Sequence, residues 1–500
     1  MTNTPAAIKG KRKFTSKDTF SNSDPSAYFL LPFRFLQLTS DSEIIVNDIG
    51  DFLIIPSGTV QKIVTKAICK DRQSELYADL IANFFISEKA IPELVDVIST
   101  RYRTKKSFLD NFTSLHIFVI SLRCEHTCHY CQVSRVTSDK EMFDMSRENI
   151  DLGIEIMMRS PSPNLTMEFQ GGEALLAFDN IKYGVEKATT EAGRKNKSIS
   201  FVICTNLAPL TDDILSYCKE HNILISSSLD GPEFIHNKNR HKPRANSYQL
   251  AVEGIFKCRE VLGEENVSAL LTTTNLSLQH PEEIVNEYVK LEFRNIFLRP
   301  ISPYGFATKA AEKNHYNTTL FIEFYKKALD VIINHNLNGY FIREDYACII
   351  LKKILTPFPT GYVDLQSPAG LINSVIVFNY DGKIYASDEA RMLAEMKDHT
   401  FQLGTLGVET YEEIFYGDKS QSIAECFLNE SLPGCSDCAF QPYCGADPVF
   451  NYTTQGDMNG HRPSSSFCHK NMEIIRHLFV LMNEDKRIQK IFRNWLTGKS

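Results

Sequence analysis

The stretch CEHTCHYC, residues 124–131, sets Cys124, Cys128 and Cys131 at the spacing C-x3-C-x2-C. Three thiols make an uneven set. A structural zinc site takes four protein ligands, and a disulfide takes two. Thiolates are soft donors that suit zinc and iron–sulfur clusters. A four-iron cluster held by three cysteines keeps one iron free of protein, open to a further ligand. The competing reading is a zinc knuckle that borrows His126 or His129 as its fourth ligand.

Outward from this stretch, short apolar segments recur: LHIFVIS just before it, then LTMEF, ISFVIC, ILISSSL, VSALLTT and NIFLRP. Amphipathic segments such as ENIDLGIEIMMR and NIKYGVEKATTEAG lie between them. Six strands alternating with helices predict an α/β fold of parallel βα units, as an open doubly wound sheet or a partial (β/α)6 barrel. Either arrangement puts functional residues just past the C-terminal ends of the strands. CEHTCHYC follows the first strand, Gln170-Gly171-Gly172-Glu173 the second and Cys204-Thr205-Asn206 the third. Ser228 with Leu229, Asp230, Gly231 and Pro232 ends the fourth, and Arg299-Pro300 ends the sixth.

With 500 residues the chain has room for roughly two to four domains. Residues 1–26 read as a disordered polar tail, 27–108 as an N-terminal α+β module that docks a peptide or caps the next domain, and 109–305 as the barrel. Residues 306–361 read as a helical connector, 362–470 as a Cys-rich domain and 471–500 as a C-terminal helix. A net charge of -7 argues against a general nucleic-acid binder. No apolar run reaches the length of a membrane span, and the first residues lack the apolar region of a secretory signal. The expectation is a cytoplasmic protein without nucleic-acid or membrane partners. Its 13 cysteines are an odd number, so the clustered ones read as metal or redox ligands. Cys69, Cys204, Cys218, Cys258, Cys348 and Cys426 are scattered and read as buried or half-buried free thiols.

The three-cysteine spacing after the first strand of a βα barrel resembles the radical S-adenosylmethionine (radical SAM) superfamily. The resemblance implies a [4Fe-4S] cluster on Cys124, Cys128 and Cys131 whose open iron binds S-adenosylmethionine, cleaved by one electron to methionine and a 5'-deoxyadenosyl radical. Gly171-Gly172-Glu173 resembles the family's GGEP motif, with Ala174 where proline is usual. It implies that Gln170, Gly171, Gly172 and Glu173 bind the cofactor, with the Glu173 carboxylate suited to the methionine ammonium. Tyr130 matches an aromatic that packs near cluster and adenine, and Ser228 and Arg240 would contact the ribose or carboxylate.

Cys435, Cys438 and Cys444, followed by Cys468, by themselves fit zinc or an iron–sulfur cluster. After such a barrel the region resembles a SPASM domain, which usually holds two auxiliary clusters. This chain departs from the full pattern: Ser367, Ser387 and Pro448 stand where three cysteines of one cluster belong. The four remaining positions imply one auxiliary [4Fe-4S] cluster, fully cysteine-ligated. Asp388 matches an aspartate that accepts the substrate proton in sulfatase-maturating members, which implies a general base here.

The strings FLLPFRF at 29–35, VNDIGDFL at 46–53, DGKIYASDEARM at 381–392 and CGADPVFNYTTQGDMNGHRPSSSFC at 444–468 resemble the B component of the His-Xaa-Ser system maturases. That resemblance implies a precursor peptide or protein as substrate, a second radical SAM maturase as partner, and an electron donor of flavodoxin or ferredoxin type. The alternatives are a sulfatase-maturase-like or small-molecule radical SAM enzyme, and a non-catalytic zinc-binding scaffold.

Overall fold

A computed structural model describes residues 28–69, 73–89, 92–131, 139–304, 316–361 and 363–498. The expected tail at 1–26 lies outside the described residues. The chain forms two compact units, divided between Thr100 and Arg101.

In the first unit, β1 (Phe29–Leu30) pairs antiparallel with β5 (Ile86–Ser87). The strands β2 (Phe33–Gln37), β3 (Ser42–Asn47) and β4 (Phe52–Pro56) form an antiparallel meander. Tyr28, Ile45, Ile55, Ile63, Leu80 and Phe85 make its core, and the Tyr28 hydroxyl donates to the Ile63 carbonyl at 2.8 Å. Burying such side chains stabilises the unit by about 1.5–3 kcal/mol each.

The second unit is built on a sheet of nine strands. They are β6 (Leu115–Ser121), β7 (Asn164–Gly171), β8 (Ser198–Thr205), β9 (Leu224–Ser228), β10 (Val267–Thr273), β12 (Leu298–Pro300), β14 (Val375–Phe378), β15 (Lys383–Tyr385) and β16 (Gln402–Thr405). Their order is β12-β10-β9-β8-β7-β6-β14-β15-β16. The run from β12 to β14 is parallel, and β15 and β16 continue it antiparallel. All six strands expected of the barrel are present. NIFLRP divides: Asn295–Ile296 becomes β11, which pairs with β13 (Arg343–Glu344), and only its end joins the main sheet. The sheet also passes beyond the barrel, because β14 from the Cys-rich region pairs with β6.

Alternation assigns the two faces of the sheet. On β7, Leu165, Met167 and Phe169 are buried, while Thr166, Glu168 and Gln170 are half-buried. The first set packs under helices. A Cβ on Gly184 would meet Met167 and Phe169, and one on Gly153 would lie 2.7 Å from Phe118. Gly153 belongs to the helix Arg147–Arg159, which Ser146 caps by accepting from Asn149 N at 3.1 Å and which buries Ile150, Ile154 and Met157. The second set, with Cys204, Ser226 and Ser228, therefore lines the opposite, concave face.

The helical connector contributes Thr318–Leu337 and Asp345–Leu355. The expected C-terminal helix is two helices, Ser466–Glu484 and Lys486–Thr497. Asp485 breaks them and caps the second through Arg487 N at 2.7 Å. No helix among the described residues is long and apolar enough to cross a membrane.

Candidate active site

Cys124, Cys128 and Cys131 sit on the loop that leaves the C-terminal end of β6. Cys124 is buried, Cys128 and Cys131 half-buried. The glycines after β7 hold this loop by letting backbone approach backbone. A Cβ on Gly171, where φ is +148°, would lie 1.9 Å from the Ser121 carbonyl oxygen, and one on Gly172 would lie 2.5 Å from those of Leu122 and Arg123. In their place Gly172 N donates to Ser121 O at 2.8 Å and Glu173 N to Arg123 O at 2.7 Å. Arg123 in turn holds Asp144 by two bonds of 2.7 Å.

Glu173, expected at the cofactor, sits at the end of β7 beside the cysteine loop. Its carboxylate is buried and already accepts from Leu175 N (2.9 Å), Thr205 Oγ1 (2.6 Å) and Asn206 N (2.7 Å). It ties the end of β7 to the end of β8. Burial, then the charge of Glu125, pushes it up to about 7. The acceptor left open is on Glu125, whose Oε2 is buried and has no hydrogen-bond partner among the described residues. Cys124 Sγ, the Glu125 carboxylate and a His126 ring nitrogen lie within 4.8 Å of one another. His126 is buried, with Nε2 2.8 Å from Ser247 Oγ and Nδ1 3.0 Å from Asn206 Nδ2. His129 meets Asn239 at 3.3 Å.

Tyr130 and Arg240 converge on Asp230, in the loop after β9. The Tyr130 hydroxyl donates to Asp230 Oδ2 at 2.6 Å, and Arg240 Nε to Oδ1 at 3.0 Å. Thr272 N adds a bond of 3.3 Å to Oδ1. Arg240 also lies over the Tyr130 ring, 5.5 Å from its centroid. Burial opposes the Arg240 charge, but Asp230, Tyr130 and Cys128 hold it above its ordinary value. Burial raises the Tyr130 phenol well above the usual range. From the sequence Asp230 was placed on the rim after the fourth strand but given no role of its own. Ser228, two residues earlier, lies on the concave face.

Deeper on that face is a polar layer centred on Glu168, the one member that sequence reasoning missed. Gln170, expected at the cofactor, donates its amide to Glu168 Oε1, and Cys204 Sγ donates to the same oxygen at 3.4 Å. Burial raises the Glu168 carboxyl; the Asp388 charge adds to this and Arg299 opposes it. Asp388 begins the helix Asp388–Ala394 and pairs with Arg391 Nε at 3.2 Å. Arg299 Nη2 lies 3.6 Å from Glu389. Both line a cavity of about 390 Å³ whose walls include Pro300, Phe450 and Phe467, with Lys470 over the Tyr346 and Phe467 rings.

Cys435, Cys438, Cys444 and Cys468 form the second sulfur group. Burial raises the Cys435, Cys438 and Cys468 thiols, and the neighbouring cysteines raise them further. The four thiols lie within electrostatic reach of one another and none is in a disulfide, which suits ligation of a soft metal centre. The positions that depart from the family pattern have protein partners instead. Ser367 Oγ donates to Glu430 and accepts from Asn429 N at 3.0 Å, and Glu430 pairs with Lys106 at 2.7 Å. Ser387 caps the helix Asp388–Ala394, and Pro448 is the first residue of the helix Pro448–Gln455.

Residues 118–288 match the family described as the Radical SAM superfamily. The chain is 25% identical over 338 residues to a cysteine-type anaerobic sulfatase-maturating enzyme of Clostridium novyi, covering 66% of this chain and 86% of that one. Its fold is similar to native anSMEcpe with bound AdoMet and Cp18Cys peptide, at a TM-score of 0.61 and 18% identity over 76% of this chain and 99% of that one. It is also similar to Streptococcus suis SuiB bound to precursor peptide SuiA, at a TM-score of 0.51 and 12% identity over 88% of this chain and 99% of that one.

Proposed function

We propose that this chain, which belongs to the radical SAM superfamily, is a maturase that modifies a ribosomally made precursor peptide of the His-Xaa-Ser type. The enzyme uses S-adenosylmethionine and a [4Fe-4S] cluster, and the chemistry they supply when bound is a 5'-deoxyadenosyl radical that removes a hydrogen atom from substrate. Cys124, Cys128 and Cys131 would hold the cluster. Gly171, Gly172 and Glu173 fix the rim beside it, Glu125 offers the open carboxylate oxygen, and Tyr130, Ser228 and Arg240 face the cofactor. Cys435, Cys438, Cys444 and Cys468 would hold one auxiliary cluster.

One observation supports a precursor peptide as the substrate. The fold shared with SuiB, which is bound to its precursor peptide, extends over 88% of this chain, against 76% for anSMEcpe. Sulfatase-type maturation is the second reading, favoured by the 25% identity to the Clostridium novyi enzyme. Both readings put a peptide side chain at the concave face, with its flanking residues in the cavity beside Arg299. A second maturase and an electron donor of flavodoxin or ferredoxin type complete the proposed system, in the cytoplasm. The test is incubation of the anaerobic holoenzyme with S-adenosylmethionine, reductant and candidate peptides, read as a mass change on the peptide. A change on a His-Xaa-Ser precursor supports the first reading, and a change only on a sulfatase peptide overturns it.

The first unit is proposed to dock the precursor. Removing residues 1–100 is expected to weaken peptide binding at least about tenfold, with 5'-deoxyadenosine release kept. Equal affinity, measured by fluorescence anisotropy, would reject docking.

A carboxylate must also take the proton released at the substrate. Asp388 is held by Arg391, whereas Glu168 is desolvated and already raised, which is the state suited to a base near neutral pH. Asp388→Asn and Glu168→Gln should both keep 5'-deoxyadenosine release. The variant that removes the base should lower modified peptide by roughly 100-fold. Full yield in Asp388→Asn would end the assignment of Asp388.

A further inference from the structure

The four-cysteine site has cations on two sides. Lys353, on the helix Asp345–Leu355, reaches out of the connector and donates from Nζ to the carbonyls of Leu365 and, at 2.7 Å, Cys444. No carboxylate among the described residues lies within 4.0 Å of it. The nearby Glu430 is engaged by Lys106 at 2.7 Å and Tyr102 at 3.1 Å, and Lys105 adds a further positive charge by donating to the Lys353 carbonyl at 3.2 Å. On the other side, the Arg462 guanidinium lies within electrostatic reach of Cys435 and Cys468. Its Nη2 is held by Asn459 O at 2.7 Å, and its Nε is buried without a partner among the described residues.

A cation kept in the protein by carbonyls alone is stabilised when an anion sits beside it. Four thiolates around iron supply one, and the cluster gains a further negative charge when it is reduced. Cations at fixed positions next to it favour the reduced form over the oxidised form, because the attraction grows with the added charge. A zinc ion at the same cysteines would change no charge, and the pair would have nothing to tune.

We propose that Lys353 and Arg462 set the reduction potential of a cluster bound by Cys435, Cys438, Cys444 and Cys468, poising it to accept an electron. This rests on the reading of those cysteines as ligands of an auxiliary cluster, and iron content tests that reading separately. The experiment is a redox titration of the reconstituted, full-length enzyme followed by electron paramagnetic resonance. Added S-adenosylmethionine identifies the barrel signal by shifting it. Lys353→Met is expected to lower the auxiliary potential by about tenfold in the reduction constant, roughly 59 mV for one electron. Lys353→Arg should restore it, and Arg462→Met should lower it in the same direction. Loss of the auxiliary signal from Lys353→Met but not from Lys353→Arg also supports the proposal, since the charge is then what retains the cluster. An unchanged potential in both methionine variants overturns it. So does about four irons per wild-type chain with zinc at the second site.

Discussion

Replacing Cys124, Cys128 and Cys131 together by alanine is expected to abolish 5'-deoxyadenosine release and to take iron from about eight to about four per chain. The effect should be complete. All three thiols leave one loop, and the residues around them supply nitrogen and oxygen donors that suit a cluster poorly. The loop itself should survive, because its anchors are elsewhere: Gly172 and Glu173 bond the backbone of Ser121 and Arg123, and Thr127 N donates to His241 O at 2.7 Å. Iron, acid-labile sulfide and chromatography of the nucleoside decide the matter. Release that persists in the variant would move the radical chemistry off this loop. A wild-type protein carrying zinc and no iron would leave the scaffold reading.

Asp230→Ala should be the most destabilising single change near the site, by about 3–5 kcal/mol. The deletion strands Arg240, whose side chain is 14% exposed, and removes the acceptor of the Tyr130 hydroxyl. It also leaves Thr272 N without the carboxylate oxygen it bonds. The partner change makes the argument testable beyond a loss of stability. In Asp230→Ala/Arg240→Met both charges are gone, so the double variant should be more stable than Asp230→Ala alone. Denaturant unfolding under anaerobic conditions would measure both. A cost below about 1 kcal/mol for Asp230→Ala would mean that water reaches Arg240. Because Tyr130 lies between Cys128 and Cys131, the same variant should also weaken S-adenosylmethionine binding.

Much of this architecture was legible because it is local. LHIFVIS and LTMEF read as strands from apolar runs, and β7 then shows the period of two, with Leu165, Met167 and Phe169 on one face and Glu168 and Gln170 on the other. The cysteine spacing put its loop after the first of them. What stayed hidden depends on partners far away in the chain. The pairing of β14 with β6 joins residues more than 250 positions apart, and no periodicity announces it. Cys204 looked like a stray thiol because its meaning comes from Glu168 on the neighbouring strand. Glu173 was expected at the cofactor from its motif and charge; its three protein donors from residues 175, 205 and 206 are visible only once β7 and β8 lie side by side. Asp230 is similar: its chemistry comes from Tyr130 and Arg240 converging across the rim.

The replacement of three pattern cysteines by Ser367, Ser387 and Pro448 bears on how the chain is built as well as on how it works. Around Ser367 and Ser387 the contacts are hydrogen bonds to Glu430, Asn429 and Ala390, which form as soon as the chain closes on itself. Metal-ligated segments behave differently, since their folding free energy arrives with the ion. A cell short of iron would thus deliver this stretch already finished, with no metal needed around Ser367 and Ser387. With Cys435, Cys438, Cys444 and Cys468 as the proposed ligands of one auxiliary cluster, the dependence of this half of the protein on iron supply would be gathered at those four positions.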